Sequence, residues 1–298
     1  MKGRRIAIVT AVVYLFTISV GAQNPQQIIQ PTPRARQQLT KALQEYRQKK
    51  DRQGEALTLL QLGITEAGLG NVSGARSNLA EAVEKMRAQN DFVGAWLALF
   101  FVAQLDVAVG QPADAIPDIE RAFAVLNEAK VSTVPFTLKT FVAFGSTSGI
   151  PPEMVQLLED PNAGMLKPVM IQYSFEPMTH DLYGSVLTQV GKLEKAEAEL
   201  KAAVAGSIYS QGMYDFSIEA HFGDLRLRQQ RYDEARTHYV KALNSSTKSA
   251  VLVIGEQQIQ AGIYDRLVHL EMITGHPEEA KRWSVKAQEL ARKSPGSR

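Results

Sequence analysis

The sequence predicts an all-α fold, a solenoid of about five to six antiparallel helix hairpins. The first observation behind this is a set of small and apolar residues that recurs at intervals close to 40. The second is that each recurring block contains two helical periods separated by a glycine turn. The third is the composition, 45% hydrophobic and 21% charged over 298 residues, which is typical of an ordered chain.

The first 22 residues have the three-part layout of a secretory signal. Basic residues between Met1 and Arg5 precede an apolar stretch, IAIVTAVVYLFTISV, and small residues follow it. Cleavage is expected after Ala22, which would place the mature protein in the periplasm or outside the cell. The apolar stretch is shorter than the roughly 20 residues that cross a bilayer. An uncleaved anchor is the alternative, and no other stretch predicts a membrane span.

Charge and cysteine content exclude several classes of function. Cleavage would remove 3 of the 33 basic residues, leaving 30 against 31 acidic residues, a net charge of −1. Such a chain has no overall field to attract nucleic acid or anionic lipid. The absence of cysteine excludes disulfides, thiolate metal sites and a thiol nucleophile.

The remaining chain divides into a spacer, a repeat array and a tail. Residues 23–36 (QNPQQIIQPTPRAR) are rich in Gln and Pro and predict a flexible spacer. Residues 37–291 form the predicted helical repeat array, which opens with a capping helix over 37–50. Residues 292–298 are expected to be a disordered tail.

A shift of 40 residues superimposes two stretches of the array. The first stretch contains Asp51, Gly54, Leu57, Leu59, Gly70, Ala75, Leu79 and Ala82. These fall on Asp91, Gly94, Leu97, Leu99, Gly110, Ala115, Ile119 and Ala122. The same frame returns around Gly184, around Gly223 and around Leu267. We interpret each copy as one helix hairpin.

Small residues in this frame are expected where helices touch closely. We expect the glycines at 63, 184 and 223 on the first helix of a hairpin to face the alanines at 75, 196 and 235 on the second. The alanines seven residues later, at 82, 122, 203, 242 and 287, would receive the next hairpin. The glycines at 70, 110, 191 and 275 suit the left-handed residue that ends a helix. Pro117 requires its helix to begin near Asp114 or to be kinked.

This pattern resembles the tetratricopeptide repeat over roughly residues 41–291. Steps between the alanines that follow the turns are 40, 81, 39 and 45 residues, longer than the family's usual 34. The long steps and the Asp-x-x-Gly motif at 51 and 91 resemble the extended variety found in kinesin light chains and in bacterial exported proteins. The resemblance implies a right-handed superhelix that binds protein partners in its concave groove.

Residues 131–177 break the rhythm. They contain six prolines and a Gly-Ser-Thr-Ser-Gly stretch. A degenerate hairpin with helices at 136–145 and 152–159 is one interpretation, because the step of 81 is close to twice 40. An insertion that caps or lines a groove is the alternative.

No catalytic, metal or cofactor site is predicted. The Gly145–Gly149 stretch approaches the nucleophile elbow, but Thr147 stands at the nucleophile position and no α/β sheet is expected. The five histidines form no His-Glu-x-x-His pair, and pairs such as His221 with Asp224 supply too few ligands for a metal. Acidic pairs fit solvated helix faces.

The resemblance implies which residues line the groove. In the family, five positions of each first helix face the partner, and the frame carries them onto two groups of residues. The apolar group, in the first two hairpins, is Leu57, Leu60, Ile64, Leu97, Phe100 and Gln104. The polar group, in the later hairpins, is Asp181, Ser185, Gln189, Asp224, Arg228, Asp265 and His269.

Two interpretations of the apolar group stay open. It binds hydrophobic side chains of a peptide, or it packs on residues 37–50 or on a second copy of the chain. Only Arg228 stands where peptide-clamp members use several basic residues, so a carboxylate clamp is not expected.

The expected function is a non-catalytic exported scaffold or adaptor with a protein or peptide partner, or a second copy of itself. The alternative is a regulatory or sensor subunit that acts with a separate signalling or protease partner.

Overall fold

The computed structural model describes residues 31–132, 171–207, 215–246 and 256–292. The predicted signal segment, most of the spacer, residues 133–170 of the irregular segment and the last six residues lie outside the described ranges. The chain divides into an N-terminal unit that ends at Phe175 and a C-terminal unit that begins at Glu176.

Antiparallel hairpins build both units, and within the described residues there is no strand. The N-terminal unit contains α1 (Pro33–Lys49), α2 (Arg52–Gly68), α3 (Val72–Ala88), α4 (Phe92–Ala108), α5 (Ala115–Val131) and a π-helical segment (Ile171–Phe175). The C-terminal unit contains α6 (Glu176–Gln189), α7 (Leu193–Ser207), α8 (Asp215–Arg228), α9 (Tyr232–Ser246), α10 (Glu256–Ile273) and α11 (Pro277–Arg292). The pairs α2/α3, α4/α5, α6/α7, α8/α9 and α10/α11 pack as hairpins. The predicted all-α hairpin array is confirmed.

Helix α1 begins inside the predicted spacer. The side chain of Thr32 accepts a hydrogen bond from the backbone N–H of Ala35 (3.1 Å), and Pro33 occupies the first helical position. A hydroxyl cap followed by proline starts a helix even where no apolar face is visible in the sequence. Residues 33–36 are therefore helical, although their composition alone predicts a flexible spacer.

The Asp-x-x-Gly motif starts the first helices α2 and α4. Asp51 and Asp91 each accept a hydrogen bond from the backbone N–H of the glycine three residues on, at 2.9 Å. A Cβ atom at Gly94 would lie 2.7 Å from the sulfur of Met86 on α3. The aspartate of the motif thus caps its own helix, and the glycine lets the preceding helix pack closely against it. The repeated motif is thus a packing element.

The small position of each first helix faces a different residue from the predicted one. A Cβ atom at Gly63 would lie 2.6 Å from Cγ of Leu79, and one at Gly184 would lie 2.6 Å from Cγ of Leu200. The expected alanine partner is only a backbone contact, 3.2 Å from Gly184 to the carbonyl oxygen of Ala196. A helical side chain leans toward the turn before its own Cα. The leucine one turn after the alanine therefore fills the space opposite the glycine.

The frame alanines are buried as predicted. Those at 75, 115, 196 and 235 have no accessible surface, and that at 280 retains 3%. The later alanines at 82, 122, 203 and 242 are equally buried, at 0–1%, whereas Ala287 of the last hairpin is only partly buried. Alanine recurs at these positions because neighbouring helices pack against them and leave no room for a larger side chain.

Helix α5 begins at Ala115, immediately after Asp114, so Pro117 lies in its first turn. A proline in the first turn removes no intrahelical hydrogen bond. Of the two predicted outcomes for Pro117, a helix start near Asp114 is the one observed.

Left-handed residues end the first helices, as predicted for four glycines. Gly70, Gly110, Gly191 and Gly275 have φ between 78° and 81°. In the hairpin α8/α9 the same place is taken by Gln230, with φ 61°. A non-glycine residue in this conformation is strained.

We expect Gln230→Gly to stabilise the C-terminal unit by about 0.5–1 kcal/mol, because glycine removes the strain of a left-handed side chain. The reverse change, Gly191→Gln, should destabilise it by a similar amount. Urea unfolding of both variants and the wild type measures the difference. Equal midpoints for all three proteins would contradict the assignment of Gln230 to the repeat frame.

Candidate partner-binding surface

The apolar group predicted to line a groove lies mostly in the core of the N-terminal unit. Leu60 and Leu97 have no accessible surface, and Ile64 and Phe100 retain 5–6%. Leu57 and Gln104 are partly buried. A partner cannot contact a side chain that has no accessible surface, so Leu60 and Leu97 are core residues and not groove residues.

Aromatic packing around α4 explains this placement. The indole ring of Trp96 lies 5.4 Å from the ring of Phe100 and 4.6 Å from the ring of Phe175 in the π-helical segment. The first charged residue of α4 after its start is Asp106. A helix that is apolar on every side is buried on every side. This signal was available in the sequence and favours a core helix.

The polar group in the C-terminal unit is divided between surface and interior. Gln189, Arg228, Asp265 and His269 are exposed. Asp181 and Ser185 are buried, at 7% and 8% exposure. The side chain of Asp224 is 28% exposed.

Asp181 binds two groups of α8. Its Oδ2 atom accepts a hydrogen bond of 2.6 Å from the hydroxyl of Ser217, and its Oδ1 atom lies 2.7 Å from Nδ1 of His221. These contacts join the first helices α6 and α8. Asp181 is therefore part of the connection between hairpins.

Asp224 makes the corresponding connection from α8 to α10. Its Oδ1 atom accepts hydrogen bonds from Nε of Arg266 (2.8 Å) and from the hydroxyl of Tyr239 (2.8 Å), and its Oδ2 atom accepts from Nη2 of Arg266 (3.0 Å). Burial acts to raise the pKa of Asp224, but the guanidinium of Arg266 holds that pKa below its usual value. A carboxylate bound in this way is a fixed, ionised group.

Sequence reasoning missed Ser217, His221 and Arg266. The histidine and the arginine stand two residues before Gly223 and Val268, the small positions of α8 and α10. A polar residue at the same place in two successive copies was the available signal.

A second set of polar contacts joins each second helix to the following first helix. Arg76 of α3 pairs with the fully buried Asp106 of α4. Glu197 of α7 accepts hydrogen bonds of 2.8 and 3.1 Å from Arg226 of α8. The frame positions are equivalent, but the signs of the charges are exchanged.

The third pair of this set lies between α9 and α10. Arg236 donates hydrogen bonds of 2.6 and 3.0 Å to Glu271, whose side chain is 2% exposed. Its polarity is that of the pair in the N-terminal unit. In the C-terminal unit, consecutive interfaces thus carry opposite polarity, which would place like charges together if the hairpins docked in the wrong order.

The pKa values of Asp106 and Glu197, two carboxylates of this set, shift in opposite directions. Burial raises the pKa of Asp106 to about 6, although Arg76 acts in the opposite direction. Hydrogen bonds from Arg226 and Lys201 lower the pKa of Glu197 to about 2. Glu197 is therefore ionised in the folded protein at neutral pH, and its carboxylate is held by Arg226 and Lys201.

We expect Glu197 to stabilise the C-terminal unit above its ordinary pKa of 4.5 and to lose this effect as the pH falls toward about 2. The sign follows because the folded state holds the carboxylate ionised where the unfolded chain takes up a proton. Glu197→Gln should therefore show a smaller loss of stability between these pH values. Trp283 is the tryptophan of the C-terminal unit, and its fluorescence during urea unfolding measures the effect.

No metal site or membrane span is found in the part of the chain that the structure describes. There, no group of three or more His, Cys, Asp or Glu side chains could hold a metal ion. Histidines pair with single carboxylates, as His180 does with Glu199 (2.7 Å) and His238 with Glu219 (2.6 Å). In the same residues, no helix has the length and apolar character needed to cross a membrane.

Comparison with known proteins shows the fold. No family model matches the chain, and no curated protein matches it. A solved structure, that of BtubC (BKLC) from P. vanneervenii, is similar with a TM-score of 0.58 and 14% sequence identity. The match covers 88% of this chain and 92% of that one. The protein is thus a helical-repeat protein by fold.

Proposed function

We propose that the protein is a non-catalytic, exported scaffold or adaptor of the tetratricopeptide type. In this proposal a protein or peptide partner binds along the first helices of the C-terminal unit. One observation carries it: the side chain at one equivalent position is exposed on each of α6, α8 and α10, while nearby residues of these helices are fixed by ion pairs.

Equivalent positions of the repeat form two rows of side chains across α6, α8 and α10, counted from Gly184, Gly223 and Val268. One row stands five residues after the small position and contains Gln189, Arg228 and Ile273, all exposed. The other stands one residue after it and contains Ser185, Asp224 and His269. A chain that crosses the three helices would meet the first row at every hairpin and His269 of the second row, because Ser185 is buried and Asp224 is bound to Arg266.

The ion pairs beside the exposed row of Gln189, Arg228 and Ile273 favour binding. Asp181 with His221 and Asp224 with Arg266 connect the three first helices before any partner arrives. A surface whose side chains are already ordered loses less conformational entropy on association. Arg228 supplies the exposed donor type that is enriched at interface hot spots.

Export is the second part of the proposal and rests on residues 1–22, outside the described ranges. Expression of the full chain in a bacterial host, followed by fractionation and N-terminal sequencing, tests it. The expected mature terminus is Gln23 in the periplasm or medium. A cytoplasmic chain that retains Met1 would contradict export without affecting the binding proposal.

The binding proposal is tested by charge reversal on the proposed surface. Full-length Arg228→Glu and His269→Glu proteins are used to capture partners from envelope extract, with crosslinking and mass spectrometry. Lys241→Glu is the matched control, because Lys241 is an exposed cation on the second helix α9.

We expect the two surface variants to lose a protein that the wild type and Lys241→Glu retain. Circular dichroism checks that all variants stay helical. Capture of the same proteins by all four chains would contradict the assigned surface.

A further inference from the structure

The five histidines of the chain all belong to the C-terminal unit, since the first of them is His180. Three charged side chains, those of Asp181, Asp224 and Arg266, act on His221. Its side chain is 19% exposed, and its Nδ1 atom lies 2.7 Å from the carboxylate of Asp181 on α6. The imidazole therefore lies at the contact between two first helices.

Charged groups of each neighbouring first helix act on this imidazole. Asp181 faces it from α6, Asp224 lies one turn along its own helix α8, and Arg266 approaches from α10. Tyr239 of α9 reaches the same cluster by donating to Asp224. With the imidazole protonated, two carboxylates balance two cations.

We propose that His221 is a pH-sensitive link that holds α6 to α8 when its imidazole is protonated and weakens that contact when the proton is lost. Deprotonation leaves Asp181 and Asp224 facing the single cation Arg266. The cluster then carries a net negative charge at a partly buried contact. The link acts within the C-terminal unit whether or not a partner binds there.

The direction of the effect follows from the local electrostatics. Burial acts to lower the pKa of His221, but the carboxylates of Asp181 and Asp224 raise it above the ordinary value of 6.5. A group whose folded pKa is raised stabilises the fold fully below its unfolded pKa, and this effect is lost as the pH rises through the folded value. The C-terminal unit is therefore most stable on the acidic side of the His221 titration.

The test uses urea unfolding of the full chain at several values between about pH 6 and pH 9, the range in which a raised histidine titrates. Trp283 fluorescence reports the C-terminal unit in a Trp96→Phe background. We expect the urea midpoint to fall with rising pH in this background, and the fall to be lost in His221→Gln. His269→Gln is the matched control, since His269 is an exposed histidine of the first helix α10, and it should keep the fall.

A second measurement does not depend on any variant being stable. NMR titration of the histidine ring protons in the wild-type chain should place the midpoint of His221 above 6.5, and Asp181→Asn should lower it. A His221 midpoint at or below 6.5, or a full pH dependence retained in His221→Gln, would overturn the proposal.

Discussion

Arg226→Glu is expected to destabilise the C-terminal unit by about 3–5 kcal/mol, the cost of breaking a buried ion pair. Arg226 is 7% exposed and is bound by Glu197, with Glu234 at 3.4 Å. A glutamate at this position would lie beside the carboxylates of Glu197 on α7 and Glu234 on α9. Chemical unfolding followed by Trp283 fluorescence measures the loss.

A charge-exchange cycle distinguishes the pair from simple loss of packing. The double variant Glu197→Arg with Arg226→Glu should recover most of the stability, because the equivalent interface between α3 and α4 has this polarity. Arg231→Glu is the control, since Arg231 makes an exposed pair with Glu234 and its reversal should cost no more than about 1 kcal/mol. A double variant as unstable as Arg226→Glu alone would contradict the account of alternating polarity.

Gly184→Ala is expected to destabilise the C-terminal unit by about 1–3 kcal/mol through overpacking. Alanine in a helix interior ordinarily stabilises by about 1 kcal/mol over glycine, so the sign itself is informative. The new methyl group would lie 2.6 Å from Cγ of Leu200 and 3.2 Å from the carbonyl oxygen of Ala196. The side chain of Leu200 or one of the two helices of the hairpin must therefore move.

Gly262→Ala is the matched control. Gly262 also lies within a first helix, α10, but a Cβ atom there would approach only Nη1 of Arg266, at 3.5 Å. We expect this change to stabilise the unit by about 0.5–1 kcal/mol. Thermal melts of both variants measure the two effects. Stabilisation by Gly184→Ala, as by Gly262→Ala, would show that Gly184 is not a packing contact.

The hairpin array was predictable because its physical cause is repeated. Close helix contact demands small residues at fixed intervals, so Ala75, Ala196 and Ala235 recur together with the glycines that end the first helices. Because every hairpin makes the same close contact, the small residues that it needs recur periodically in the sequence. The contact partner of each glycine was not predictable from spacing alone, because it depends on the direction in which a leucine side chain leans.

The surface was predictable in part. Carrying family positions onto the frame selected Arg228 and His269, which are exposed, but it also selected Leu60 and Leu97, which are core. The position of a residue in the repeat predicts which face of its helix it occupies, but it does not predict whether another segment buries that face. The apolar character of α4 indicates burial, and that local signal should outweigh a carried-over position.

The polar interior escaped prediction for a different reason. Asp181 and Asp224 look like free groove residues when each helix is considered alone. Their partners His221 and Arg266 lie 40 and 42 residues away, on the next hairpin, so the pairing appears only after the hairpins are stacked. Buried charges of this kind are satisfied across repeats.

The shared register of the hairpins underlies the packing, binding and pH-link proposals above, and methyl-labelled NMR tests it most directly. The account predicts nuclear Overhauser contacts from the Hα protons of Gly63 to the methyl groups of Leu79, and from those of Gly184 to Leu200. It also predicts contacts between Gly223 and the ring of Tyr239. Absence of these contacts in a folded chain, with the glycines instead close to residues at unrelated spacings, would contradict the account.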